Sequence, residues 1–157
     1  MSGTTRHRRE GALVTMTTMS EERRAYILIV DDDASVRELL KLQLVGEGYE
    51  VELADDAIVA GRALMRTPPD LMLVDVAMPY LDGLDFVAAL KADTTVPDVP
   101  AVFITAREDV AERARTLAVP CLRKPFTFEA LLAVVRRELQ LRPPRRRARL
   151  DYLSAST

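Results

Sequence analysis

The chain of 157 residues has no tryptophan, one cysteine (Cys121) and one histidine (His7). A single cysteine forbids an internal disulfide framework and points to a reducing, cytoplasmic compartment. A single histidine, in a polar stretch near the N-terminus, excludes a histidine-based metal site and leaves no folded histidine to carry a phosphoryl group. No apolar run approaches the length needed to cross a bilayer. Thr, Ser and Glu interrupt the segment before Tyr26, so it does not read as a signal peptide. Glycine is also scarce, and no GxxxxGK or GxGxxG loop cradles a nucleotide. The formal net charge of -2 gives no overall pull toward nucleic acid or membrane.

The basic residues gather at the two ends. Residues 1–24 are polar, rich in Thr and Arg, and read as a disordered extension. Residues 25–140 read as one folded domain, and 141–157 as an Arg/Pro-rich tail in which Arg145 to Arg149 form a solvated cluster.

From Tyr26 onward strand-like and helix-like segments alternate. Tyr26 to Val30 is an unbroken apolar run, the mark of a buried strand. Residues 34–47 read as a helix, with Val36, Leu39, Leu40, Gln43 and Leu44 at three-and-four spacing and Gly46 and Gly48 at its end. Residues 49–54, 71–74, 101–104 and 121–122 supply four more strands. Helices are expected at 56–65, 84–91, 108–117 and 128–139. Thr127 caps the last, whose Leu131, Leu132, Val134, Val135 and Leu139 face inward. Apolar strands alternating with helices predict a doubly wound α/β sandwich around a five-stranded parallel sheet.

The chemistry-bearing residues sit where those strands end. Asp31, Asp32 and Asp33 follow the first strand, Asp75 ends the third, Thr105 the fourth, and Lys124-Pro125 follows the fifth. In an open parallel sheet, ligands bind beyond the carboxyl ends of the strands, so these residues can converge. Carboxylates crowded together repel, and either one is protonated or a cation is shared. Oxygen ligands without Cys or His suit Mg²⁺, with Mn²⁺ as an alternative. One carboxylate can then act as a nucleophile toward phosphorus, with Thr105 donating to a phosphoryl oxygen and Lys124 supplying a positive point charge. Asp33 reads instead as the N-terminal cap or first-turn acid of helix 1.

Ile-Val-Asp31-Asp32-Asp33, Val74-Asp75-Val-Ala-Met78-Pro79-Tyr-Leu-Asp82-Gly83, Phe-Ile-Thr105-Ala106 and Arg-Lys124-Pro125-Phe126 together resemble the receiver domain of bacterial two-component response regulators, over about Tyr26 to Leu139. The resemblance, nearest to the single-domain chemotaxis-regulator type, implies a flavodoxin-like (βα)5 fold with strand order 2-1-3-4-5. It makes Asp75 the phosphoacceptor and gives Mg²⁺ the ligands Asp31, Asp32, Asp75 and the Ala77 backbone carbonyl. It places Thr105 and Lys124 on the phosphoryl group and a cis peptide at Lys124-Pro125. It makes Thr105 and Cys121 the switch positions, and Ala77 and Arg107 the tuners of a slow self-dephosphorylation.

The resemblance also implies partners: a sensor histidine kinase or histidine phosphotransfer protein, and a downstream effector on the face formed by helix 4, strand 5 and helix 5. Direct DNA binding and membrane association are not expected, and the chain is expected to be a monomer or weak homodimer. Slow self-phosphorylation from small phosphodonors and autodephosphorylation are its only expected catalysis. With only an Arg/Pro-rich tail after Leu139, the reading is a stand-alone receiver or a piece of a longer protein.

Two departures stand out. Cys121 occupies a position that is usually aromatic in this family, and Leu117-Ala118-Val119-Pro120 replaces a turn where Gly-Ala and acidic residues are common. Cys121 itself reads as a small buried hydrophobe. Two rival readings exist. A phosphorylation-independent interaction module is one. The other is a phosphohydrolase resembling the haloacid dehalogenases, which would use Asp31-x-Asp33, Thr105 and Lys124 but leave Asp75 unexplained.

Overall fold

The structure, a computed structural model, describes residues 23–144. The expected N-terminal extension lies outside the described residues apart from Arg23 and Arg24, as does the arginine cluster Arg145 to Arg149. Arg23 is anchored, its guanidinium paired with the buried carboxylate of Asp70.

Five strands, β1 (Tyr26–Val30), β2 (Glu50–Ala54), β3 (Leu71–Asp75), β4 (Ala101–Thr105) and β5 (Cys121–Arg123), form one parallel sheet in the order β2-β1-β3-β4-β5. The helices between and after them are α1 (Ala34–Gly46), α2 (Ala57–Arg66), α3 (Gly83–Ala92), α4 (Ala111–Thr116) and α5 (Phe128–Leu141). This is the flavodoxin-like order expected from the sequence.

Every residue of β1, β3 and β4 is buried, because both faces of the sheet are covered. Alternate residues serve different layers. Ile27, Ile29, Leu71, Leu73, Val102 and Ile104 pack with Leu40 and Leu44 of α1 and with Leu131 and Val135 of α5. Leu28, Val30, Met72, Val74 and Phe103 pack with side chains of α2, α3 and α4 on the other face. The chain turns from β1 outward to β2 and then crosses back to β3. The strand order therefore reverses at the carboxyl ends of β1 and β3, which opens the crevice there.

Caps fix several helix starts. Asp33 accepts the amides of Ser35 (2.8 Å) and Val36 (3.3 Å), and Thr127 Oγ1 accepts that of Ala130 (3.1 Å). Helix α4 is shorter than the expected 108–117. Asp109, which could have capped it, is held by the Arg107 guanidinium, and Val110 at the cap position has no side-chain acceptor. Leu39 is another correction: the buried stripe of α1 runs through Leu40 and Leu44 with Val36 packed beside it, and Leu39 is 56% exposed. Helix α5 runs past the expected end at Leu139 to Leu141, with Arg142 paired to Asp98 at 2.9 Å.

Helices α1 and α4 end in the same way. After α1, the amide of Tyr49 bonds the carbonyl of Leu44 (3.2 Å), and that of Gly48 bonds Val45 (3.0 Å), with Gly48 at φ +93. After α4, Val119 bonds Ala114 (3.0 Å) and Ala118 bonds Arg115 (3.0 Å), but the left-handed residue is Ala118 at φ +54. An L side chain in that conformation costs about 1 kcal/mol, and glycine does not carry the cost. Ala118→Gly is therefore expected to stabilise the domain by about 0.5 kcal/mol, read as a higher urea midpoint at unchanged slope. A lower midpoint would show that this turn is not strained.

Candidate functional site

The site assembles at the carboxyl edge of the central strands. Val30 is the last residue of β1, so Asp31 is its first residue beyond the sheet's apolar run. The Asp31 amide reaches across to the Ala54 carbonyl at 3.1 Å. Its carboxylate Oδ1 accepts the Asp33 amide at 2.8 Å, which turns the chain into α1. Asp75 closes β3, opposite Ile104 in register, and Thr105 follows one residue later on β4.

One carboxylate oxygen each from Asp31, Asp32 and Asp75 lie within 4.8 Å of one another. Asp31 and Asp75 are buried, while Asp32 is exposed at the mouth. Lys124 Nζ lies 3.4 Å from Asp31 Oδ2 and 3.7 Å from Asp75 Oδ1. The Lys124-Pro125 peptide is cis. The Lys124 amide bonds the Thr105 carbonyl at 2.8 Å, which ties the two strand ends together.

The electrostatics follow from that crowding. Burial, with Asp31 next in importance, raises Asp75 from 3.8 to about 6. Lys124 and the Ala77 backbone amide oppose the rise, and Asp32 adds slightly to it. Three carboxylates facing one ammonium make a site short of positive charge. Its hard oxygen donors fit a divalent cation of the Mg²⁺ type.

Asp33 stays out of this cluster, with its carboxylate spent on capping α1. The Asp31-x-Asp33 pairing required by the phosphohydrolase reading is therefore not formed. Ala77 meets Asp75 through its amide. Thr105 is 1% exposed, and its Oγ1 accepts the Arg107 amide at 3.0 Å, which leaves the hydroxyl proton free to donate. The Arg107 guanidinium holds Asp109 and stands 3.7 Å from Asp82 Oδ2, bridging the loops that flank Asp75 and Thr105. Asp82 also caps α3 through the Asp85 amide at 2.9 Å.

Cys121 corrects the sequence expectation: it is exposed, because β5 is a three-residue edge strand whose end residues face solvent. Partial burial still raises its thiol above the usual range.

The sequence reading missed Arg37, whose Nη1 donates to the Asp31 carbonyl at 2.6 Å and braces the acidic turn. A signal for it was present. A cation in the first turn of a helix opposes the helix dipole and so needs a local acceptor. Tyr80 belongs to the motif around Asp75. It is fully exposed at φ +69, five residues beyond Asp75, within a tight turn closed by the Leu81 amide on the Pro79 carbonyl at 2.9 Å.

Comparison with known proteins agrees with this geometry. Residues 27–136 match the family model of the response regulator receiver domain. The chain is 44% identical over 121 residues to the response regulator MprA of Mycobacterium leprae, and 43% identical over 121 residues to MprA of Mycobacterium avium. Each match takes in 75% of this chain and 52% of the relative, so the chain spans about half the length of those relatives. Among solved structures, the chemotaxis response regulator CheY4 of Vibrio cholerae is 30% identical with a TM-score of 0.68, covering 74% of this chain and 100% of that one. The response regulator TrrA of Thermotoga maritima, solved in complex with Mg²⁺ and BeF, is 29% identical with a TM-score of 0.66, covering 73% and 99%. The family match begins inside β1 and ends inside α5, so it takes in every crossover of the sheet, and the chain belongs to the response regulator receiver domains of two-component signalling.

Proposed function

We propose that Asp75 accepts a phosphoryl group from a phosphohistidine on a sensor kinase or phosphotransfer protein, and that the phosphorylated chain signals by binding a downstream protein. The observation that carries this reading is the juxtaposition of Asp75, two further carboxylates and Lys124 at the strand-order reversal. In the transfer, a carboxylate oxygen of Asp75 forms the new O–P bond. The P–N bond to the donor imidazole breaks, and its electron pair leaves on that nitrogen.

Asp31, Asp32 and Asp75, with the Ala77 carbonyl, would hold Mg²⁺, which when bound offsets the charge of the carboxylates and of the phosphoryl oxygens. Lys124 and the Thr105 hydroxyl would take the remaining phosphoryl oxygens. Moving Thr105 toward the phosphoryl group would strain its bond from the Arg107 amide and so disturb the start of α4. That disturbance would shift a two-state equilibrium that a partner reads on the α4–β5–α5 face, with Thr105 and Cys121 as its switch positions. The Arg107 bridge to Asp82 lies across the mouth, where it would govern the slow hydrolysis of the acyl phosphate. Among the described residues no helix is long and apolar enough to cross a membrane, and a cytoplasmic site of action is part of the proposal.

The test is intact mass after incubation with acetyl phosphate, with and without Mg²⁺, on the wild type and Asp75→Ala. One Mg²⁺-dependent phosphoryl adduct, absent from the variant, is expected. A folded wild type that takes up no phosphoryl group would instead indicate a phosphorylation-independent module.

A further inference from the structure

The α4–β5–α5 face is unequally charged along its length. Near β5, Arg123 is paired with Glu108. Toward the other end of the sheet an open groove of about 480 Å³ runs between the turn after α4 and the last turns of α5. Its lining includes Arg115, Arg137 and Arg142, one acid, Glu138, and the apolar Val119 and Leu141.

Its cations are answered only in part from within. The Arg115 guanidinium has no acidic partner among the described residues. Arg137 meets the neighbouring Glu138 on its own helix at 3.4 Å, and that carboxylate is 12% exposed. Arg142 is held by Asp98 at 2.9 Å but remains half exposed. The turn that forms the floor, Ala118-Val119-Pro120, contributes no acid. Leu141, 68% exposed, stands beside these arginines as an apolar contact.

From this we infer that the groove receives an acidic segment of a partner protein, carrying an apolar residue that covers Leu141. The inference rests on the receiver reading, in which the chain's output is a binding event. A second copy of the chain fits the groove badly. A two-fold contact sets a surface patch against itself, which would bring three arginines against three with one lining acid, Glu138, on each side. Exposed ion pairs are individually weak and screened by salt. The partner therefore needs several carboxylates together with the contact on Leu141.

The test uses a fluorescein-labelled peptide of repeated Asp-Glu-Leu triplets and fluorescence anisotropy on the full 157-residue chain. Saturable, salt-sensitive binding is expected. The double reversal Arg115→Glu with Arg137→Glu should weaken it about tenfold or more. Arg62→Glu, on the exposed side of α2, should leave it unchanged. Equal weakening by Arg62→Glu would show diffuse charge attraction and overturn the proposal, as would the absence of saturable binding. A wild-type dimer in sedimentation that the double reversal splits would overturn it in favour of a second copy. Acetyl phosphate labelling of the same variants separates the two readings. Retained labelling with lost peptide binding isolates the groove, whereas a wild type that binds peptide but cannot be labelled defeats the receiver reading instead.

Discussion

Replacing Asp75 with Asn should abolish phosphoryl uptake and at the same time make the metal-free protein more stable at neutral pH. The first effect follows from removing the proposed nucleophile. The second follows from the crowding that raises Asp75 from 3.8 to about 6. Below pH 3.8 the carboxyl is protonated in the folded and unfolded chains alike, and it adds no penalty. As pH climbs through about 6, the folded chain must ionise it beside Asp31 while the unfolded chain has already done so freely. Stability present in acid is therefore lost on the way to neutrality, by about 1–2 kcal/mol after allowing for solvent screening. Asn carries no such charge. In urea titrations the variant should exceed the wild type above pH 6 and lose that advantage in acid. Adding Mg²⁺ should stabilise the wild type more than the variant, because a cation that binds only the folded state adds its binding free energy to stability. A variant no more stable than the wild type without metal would mean that the carboxylates do not repel as the geometry implies.

A single methyl group at Gly83 should be nearly as disruptive. Gly83 is the buried first residue of α3, and its amide bonds the Val76 carbonyl at 2.9 Å. A Cβ there would drive into the Asp75 carbonyl oxygen, well inside contact distance, and would stand 3.0 Å from both the Asp75 carbonyl carbon and Val74 Cγ1. Backbone cannot rotate away as a side chain end can, so either α3 retreats or the end of β3 moves. Gly83→Ala is expected to cost about 1–3 kcal/mol and to slow acetyl phosphate labelling, because the displaced segment carries Asp75, the proposed nucleophile. Gly61→Ala in α2 is the control. Its Cβ meets nothing within 4 Å, and the better helix former should add about 0.5–1 kcal/mol. If Gly83→Ala matched Gly61→Ala in stability and labelling, this close approach would not shape the site.

The parts of the fold that follow from one strand or one helix end were legible in the sequence. Tyr26 to Val30 could only be a strand covered on both sides, and Asp33 and Thr127 cap helices through bonds a few residues away. The parts that depend on a partner distant in sequence or competing for the same group were not. The helix expected from residue 108 begins at Ala111, where Val110 offers no capping side chain and Arg107 holds the carboxylate of Asp109. Leu39 shares the three-and-four spacing of α1, yet the sheet lies on the side of Leu40 and Leu44. Arg37 was overlooked, although a cation in the first turn of α1 calls for an acceptor, because that acceptor is a backbone carbonyl and not an acidic side chain. The candidate site fared better, since each of its members sits at or just beyond a strand end and the sheet order alone brings those ends together.

The exposure of Cys121 has a practical consequence. The molecule has no tryptophan, so it lacks the intrinsic fluorophore by which changes near a phosphorylation site are usually followed. It carries instead one thiol, open to solvent, on the strand that leads directly into Lys124. A maleimide dye would find a single attachment point without any engineered cysteine or any cysteine to remove. Because partial burial keeps the thiol protonated beyond its ordinary range, labelling calls for a mildly alkaline buffer. A position that departs from the pattern of the resemblance is thus also the one where an optical reporter of the site can be mounted.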